Sequence, residues 1–319
     1  MNFKLFLKRY TEFLERLFSR SKRNIMVGID ITTSSVKAVE ICGMKNVVEI
    51  RRWALVPIEN GDTKAALKRL FTRMNIKDQI PVVSVSGKGT LVRYVDMLRM
   101  SLQEVKKSFK YEVDKYFPFD PQSIYTDCYI VNPKAKEKKM TVMLVAVKKE
   151  MVDERIKLFK EIGMELAYVT TNSVATANAF ENALEIHDGI GAKAILDIGA
   201  SESSLMILDK NGFPCFTRDI FIGIQDISKG AMDNLANEIQ LSFDYCSTDK
   251  NVLVKELFLS GIGALSKGTA GLLEKDLHLP VKTWDPLAGL RLGVGVVSSQ
   301  IEPFSSELGV AVGLALTKI

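Results

Sequence analysis

Asp30 and Asp197 each close an apolar run and open a stretch of small polar residues. The first stretch is Met26-Val-Gly-Ile-Asp30-Ile-Thr-Thr-Ser-Ser-Val-Lys37-Ala-Val-Glu-Ile41 and the second is Ala194-Ile-Leu-Asp197-Ile-Gly199-Ala-Ser-Glu-Ser-Ser-Leu-Met-Ile-Leu208. In both, strand, aspartate, polar turn and second strand follow in the same order. This predicts a β-hairpin whose tight turn presents backbone N–H groups beside a carboxylate. Such N–H concavities hold phosphate oxygens, and an adjacent aspartate holds Mg²⁺ through its waters. Two copies in one chain predict two half-domains closing on a nucleotide.

A third piece is Leu257-Phe-Leu-Ser-Gly261-Ile-Gly263, a strand ending in a glycine turn, followed by Ala264-Leu265-Ser266-Lys267-Gly268 and a helix. Two glycines would let the backbone approach a flat ligand closely, and a helix N-terminus favours negative charge. Gly87-Lys88-Gly89 is a weaker signal. It lacks the G-x-x-x-x-G-K-[ST] spacing of a phosphate loop and reads as a hairpin turn between strands 81–86 and 90–98.

The elements that must position these pieces are legible from pattern. The chain has 319 residues, 47% of them hydrophobic, enough for about two domains. Its net charge of +5 comes from the first 23 residues, where seven bases face two acids; the remainder is balanced. The body therefore carries no basic signature of nucleic-acid binding. Cys42, Cys128, Cys215 and Cys246 are widely spaced, as expected of reduced thiols in a cytoplasmic protein. Two histidines, His187 and His278, do not suffice for a histidine metal cage or triad. No apolar run approaches the roughly 18 residues of a membrane span; Leu308–Leu316 reads as a small-residue core helix.

Residues 1–24 carry an apolar stripe at Phe3, Phe6, Leu7, Tyr10, Phe13, Leu14, Leu17 and Phe18 against a basic face, an amphipathic helix. Two readings stand: a helix packed on the body or a loose tail, or one lying on an anionic membrane surface or partner. A helix is expected near 63–74. Ser101-Leu-Gln-Glu104 is a capping-box pattern opening a helix to about Tyr116. Strands 125–131 and 140–147 and a helix 149–162 complete an expected insert over 97–165. The first half is then 25–96 plus 166–190. The second half is 191–319, with a smaller subdomain near 224–256, where a long and possibly broken helix is expected.

Taken together and in this order, the motifs resemble the actin-like ATPase superfamily, which includes heat-shock chaperones, sugar kinases and the division protein FtsA. Within it the chain looks most like the PilM family of type IV pilus assembly proteins. The resemblance covers about residues 25–317. It rests on Gly28-Ile-Asp30 with Ser34-Ser35-Val36-Lys37, Tyr116-Phe-Pro-Phe119, Asp197-Ile-Gly199, Arg218-Asp219-Ile220, Leu235-Ala-Asn-Glu238-Ile-Gln240, Leu259-Ser-Gly261, Asp285-Pro286 and Gly309-Val-Ala-Val-Gly-Leu-Ala-Leu316.

The resemblance implies an α/β fold of two duplicated halves around an ATP cleft. Thr32, Thr33, Ser34 and Ser35 would cradle phosphates, with Lys37 reaching them. Asp30 and Asp197 would hold Mg²⁺ through water. Gly199, Ala200, Ser201, Glu202 and Ser203 would form the second clasp. Gly261, Ile262, Gly263 and Leu265 would line the adenine, and Glu238 would meet the ribose, although an exposed helical glutamate is the plainer reading of that residue alone. Asn172 falls where the family places the residue that orients the attacking water; read by itself, it caps the following helix. Asparagine has short reach and is no general base. The family also carries glycine where this chain has Thr32. These departures imply ATP binding with slow or absent hydrolysis.

The function implied is a cytoplasmic scaffold at the inner face of the inner membrane, binding the cytoplasmic tail of a bitopic PilN-like partner between core and insert. The alternatives are a polymerising FtsA-like ATPase or a small-molecule kinase of the same superfamily.

Overall fold

The computed structural model describes residues 24–44, 47–76, 79–132, 138–183 and 191–317. The amphipathic segment 1–23 lies outside these residues. Strands β1 (Asn24–Ile31), β2 (Ser35–Met44) and β3 (Val47–Pro57) form an antiparallel meander. Helix α1 (Thr63–Met74) follows, its N-terminus capped by Asp62 accepting from the Ala65 N–H. It buries Ala66, Leu67, Leu70 and Met74 against the sheet, the stripe an amphipathic helix needs.

Strand β4 (Pro81–Val85) pairs in parallel with β1 on one side and, on the other, with β8 (Tyr168–Thr171). Both of its edges are taken and every residue of it is buried, so it cannot form a hairpin with the strand that follows. Strand β5 (Thr90–Leu98) instead joins β6 (Ile124–Ile130) and β7 (Lys139–Lys148) in a separate sheet of order β5-β7-β6. The turn at Gly87–Gly89 is thus a crossing between sheets, not the expected hairpin.

The insert sheet accordingly begins at residue 90, not 97, and has three strands rather than two. Helix α2 (Leu102–Tyr111) covers it, opened by the expected box: the Ser101 hydroxyl accepts from Glu104 N–H, and the Glu104 carboxylate accepts from Ser101 N–H. The expected helix to Tyr116 breaks at Glu112, after which 113–116 makes one further turn. Val105, Phe109, Phe117 and Leu144 form the insert's own core. Helix α3 (Lys149–Glu161) belongs elsewhere: its Phe159 is fully buried with Val27, Ile29 and Leu67 of the first half.

Helix α4 (Asn172–Ala183) leads to the second half, where β9 (Ala192–Ile198), β10 (Ser203–Leu208) and β11 (Pro214–Ile220) form another antiparallel meander. The expected long helix breaks around Gly230, which takes φ 99°. It yields a short turn, 224–227, and helix α5 (Met232–Lys250). The chain then runs directly into β12 (Val254–Ser260), helix α6 (Thr269–Leu277) and β13 (Val281–Thr283).

The two large sheets have orders β14-β3-β2-β1-β4-β8 and β11-β10-β9-β12-β13, where β14 is Arg291–Leu292. Apart from β14 they are the same topology: a meander of three strands, then two parallel strands added beside the first. The halves are joined at their base by α4 and helix α7 (Gly309–Ala315), which is buried throughout. One apolar cluster takes Val39, Ile41 and Ile50 from the first sheet and Ile195, Met206 and Phe258 from the second. Gly313 lets the two helices touch: a Cβ there would lie 1.7 Å from the Ala175 carbonyl oxygen.

Candidate functional site

Matching topology puts Asp30 and Asp197 at equivalent places, each the penultimate residue of the first strand of its meander. Asp30 sits opposite Lys37 in the β1–β2 register, and the Lys37 ammonium donates to Asp30 Oδ2 at 3.1 Å, both side chains buried. Burial disfavours the Lys37 charge, but the carboxylates of Asp30 and Asp197 outweigh that and raise its pKa above the ordinary value. Asp197 accepts from the Ser260 hydroxyl at 2.7 Å through Oδ1. Burial pushes its carboxyl up, against the opposing pull of Ser260 and Lys37.

Two further groups reach the same place. Glu307, from the 3₁₀ stretch 302–308, is raised by burial and by Asp30, with Lys37 opposing. Arg155 on α3 is lowered by burial and held up by Asp30. Three carboxylates and two cations from both halves thus act on one another electrostatically. Among the described residues no group of three or more histidine, cysteine or acidic side chains is close enough to ligate a metal directly.

The two turns differ. In the first, Thr32 N–H donates to the Ser35 carbonyl at 3.0 Å, and the Thr32 hydroxyl accepts from the N–H groups of Ser34 and Ser35 at 3.3 and 3.1 Å. A threonine where glycine would leave those donors free therefore closes the turn on itself. In the second, Gly199 N–H donates to the Glu202 carbonyl at 2.9 Å, and no acceptor for the N–H groups of Ala200 and Ser201 occurs among the described residues. Ser203 is buried, its hydroxyl donating to the Ile222 carbonyl. The tips meet, Thr33 Oγ1 lying 3.3 Å from Ser201 Oγ.

Glu202 turns away from the clasp and accepts from the Ser86 hydroxyl at 2.6 Å. Beside it Asp219 accepts from Gly87 N–H at 3.2 Å. The β4–β5 crossing is thereby tied to the second half.

The structure changes the reading of the glycine turn. Gly261 takes φ 80°, and a Cβ there would lie 2.4 Å from the Ile198 carbonyl oxygen; a Cβ on Gly263 would lie 2.2 Å from Ile198 Cγ2. These glycines are needed for packing against β9. Ile262 and the exposed Leu265 lie on the same short 3₁₀ turn. Glu238 makes an ion pair with Arg218 on β11.

Asn172 opens α4 but does not cap it. The adjacent Thr171 hydroxyl accepts from Val174 N–H at 3.4 Å. Asn172 lines a groove of about 660 Å³ together with Ser86 and Asp219. Arg155, Glu307, Ser260 and the Ser86–Glu202 tie were not anticipated. Only Ser260 left a trace in sequence, as part of the Leu259-Ser-Gly261 motif.

The comparisons with known proteins agree with this fold. A family model described as type IV pilus assembly protein PilM matches residues 28–232 and 225–319. A solved PilM–PilN type IV pilus biogenesis complex superposes with TM-score 0.79 at 20% identity, over 91% of this chain and 97% of that one. A Bacteroides thetaiotaomicron protein of actin-like ATPase fold and unknown function gives TM-score 0.51 at 11% identity, over 83% of this chain and 92% of that one. The cytoplasmic domain of EpsL, an inner membrane component of the Vibrio cholerae type II secretion system, gives 0.50 at 11% identity, over 92% and 96%. The duplicated sheets, the paired aspartate hairpins and the match along nearly the whole chain place it in the actin-like ATPase fold, and it belongs to the PilM family of type IV pilus assembly proteins.

Proposed function

We propose that the chain is a scaffold of the type IV pilus assembly platform at the inner face of the inner membrane, holding Mg-ATP between its halves and binding the cytoplasmic tail of a PilN-like partner. The observation that carries the nucleotide part is the convergence of Asp30, Lys37 and Asp197 from two matching hairpins whose tips touch. These residues suit the ligand. Asp197 has one oxygen engaged by Ser260, leaving the other for a metal-bound water. Lys37 offers charge to phosphate, and the second turn offers free N–H donors. Bound ATP would supply polyphosphate charge that the cations and N–H groups balance, stabilising the closed arrangement in proportion to its excess over Kd.

Asn172 is the residue expected to orient water, and an amide takes no proton. The self-closed first turn weakens the grip as well. Thr32→Gly frees two donors, each worth about 1.5–3 kcal/mol to a charged acceptor. That gain is set against about 1 kcal/mol of added backbone freedom. The expected outcome is Mg-ATP binding tighter by about thirtyfold or more, measured by calorimetry; unchanged or weaker binding contradicts this account of the turn.

For the partner, the relevant edges are β8, outermost in the first sheet, and β6, outermost in the insert sheet. Lys106 of α2 pairs with Asp127 of β6 at 2.9 Å, and both act electrostatically on Tyr168 of β8. Exposed Tyr125 and Tyr129 lie on the same insert strand. An extended tail could add main-chain hydrogen bonds to such edges while aromatic side chains grip its alternate residues. Pull-down with a synthetic PilN-like tail is the test. Binding that Tyr168→Ala and Lys106→Glu together reduce about tenfold supports the assignment; undiminished binding places the tail elsewhere. The family comparison supports the partner class, and the basic segment 1–23 adds a second attraction to an anionic membrane surface. Among the described residues no helix is long and apolar enough to cross a membrane.

A further inference from the structure

The groove that Asn172 lines opens between β5 of the insert and β11 of the second half, on the opposite edge of the insert sheet from β6 and Tyr168. We propose that it is a second docking site, for an acidic, extended segment of a partner protein. β5 and β11 are each outermost in their own sheet and belong to different sheets. They flank the groove at Tyr94 and Thr217, and the Lys250 ammonium donates to the Tyr94 carbonyl at 3.4 Å. Two strand edges facing one groove offer main-chain partners to an extended chain.

The walls define that chain's chemistry. Lys88, Arg93, Arg218 and Lys250 line the groove against a single acid, Asp219. Arg218 is already paired with Glu238, and Asp219 accepts from Gly87 N–H. Lys88, Arg93 and Lys250 have no carboxylate partner among the described residues. Lys88 lies over the Phe221 ring, 5.2 Å from its centre. Phe221, Leu241 and Tyr245 along the same groove are 50%, 59% and 46% exposed, large apolar side chains that a peptide would cover. Acidic residues alternating with apolar or aromatic ones match this lining. The chain's own first 23 residues do not, since seven bases against two acids would be repelled.

The test uses the full chain and two labelled short peptides, one alternating glutamate with valine and tyrosine, the other with lysine in place of glutamate. Fluorescence anisotropy should show the acidic peptide binding and the basic one not. Lys88→Glu with Arg93→Glu should weaken binding about tenfold or more, as should Leu241→Ala with Tyr245→Ala. All four side chains are exposed, so circular dichroism should show both variants folded. Hydrogen exchange should slow in β5 and β11 when the acidic peptide is added. Four results overturn the proposal: no binding of the acidic peptide, equal binding of the two, undiminished binding by the charge-reversed variant, or full protection of both edges in the free chain, which would assign the groove to a segment of the chain itself.

Discussion

Lys37→Met is expected to destabilise the chain by about 3–5 kcal/mol and to abolish Mg-ATP binding. Lys37 is the buried cation between Asp30 and Asp197, with Glu307 near by. Removing it leaves three carboxylates facing one another with only Arg155 to oppose them, and breaking a buried pair from one side leaves the other charge uncompensated. The sign with pH follows from the raised pKa. A lysine held above its ordinary 10.5 contributes fully at neutral pH and loses that contribution only as pH climbs through the folded value. That contribution should therefore stay constant across neutral pH, while the difference in melting temperature should narrow on acidification, as Asp197 and Glu307, no longer held down by Lys37, take up protons. A variant as stable as the parent would show that the pair is incidental.

Asp197→Asn should act oppositely on the free protein. Burial raises the Asp197 carboxyl pKa in the folded state, so its ionised form costs stability at neutral pH. That cost fades as pH falls through the folded pKa. Asparagine keeps an acceptor for the Ser260 hydroxyl and removes the charge. The free variant should melt higher at neutral pH, by the roughly 0.5–2 kcal/mol typical of relieving a functional-site penalty, and the gap should narrow on acidification. Binding of Mg-ATP should fall about a hundredfold or more, because the amide cannot hold a metal-bound water as a carboxylate does. Thermal denaturation with and without nucleotide separates the two effects. A free variant no more stable than the parent would remove the penalty from the account.

The hairpins were legible because an aspartate ending an apolar strand before small polar residues is a local pattern, and local patterns survive folding. The duplicated sheet order follows once both meanders are in place. Less legible was whatever depended on partners distant in sequence. β5 looks like half of a hairpin until β4 is seen flanked by β1 and β8. α3 reads as part of the insert until Phe159 is found in the first half's core. Gly261 and Gly263 read as an approach for a flat ligand, and the structure adds a packing demand that sequence does not show, since Ile198 fills the space their Cβ atoms would need. Glu202 sits in the clasp by position, while its carboxylate reaches Ser86, far away in the chain. Such contacts are set by how the two halves pack, which no spacing in either half encodes. The first turn was half legible: Thr32 stands out in sequence as a departure from glycine, and the structure supplies the consequence, two N–H groups closed by its own hydroxyl.

The central claim is that this member of the PilM family holds ATP rather than spending it. Calorimetric titration with Mg-ATP, run beside phosphate release on the parent, Asp197→Asn and Asn172→Ala, tests that most directly. The account predicts saturable binding by the parent, its loss in Asp197→Asn, and phosphate release at background for all three. Release well above background that either substitution abolishes, or binding that Asp197→Asn leaves untouched, would contradict it.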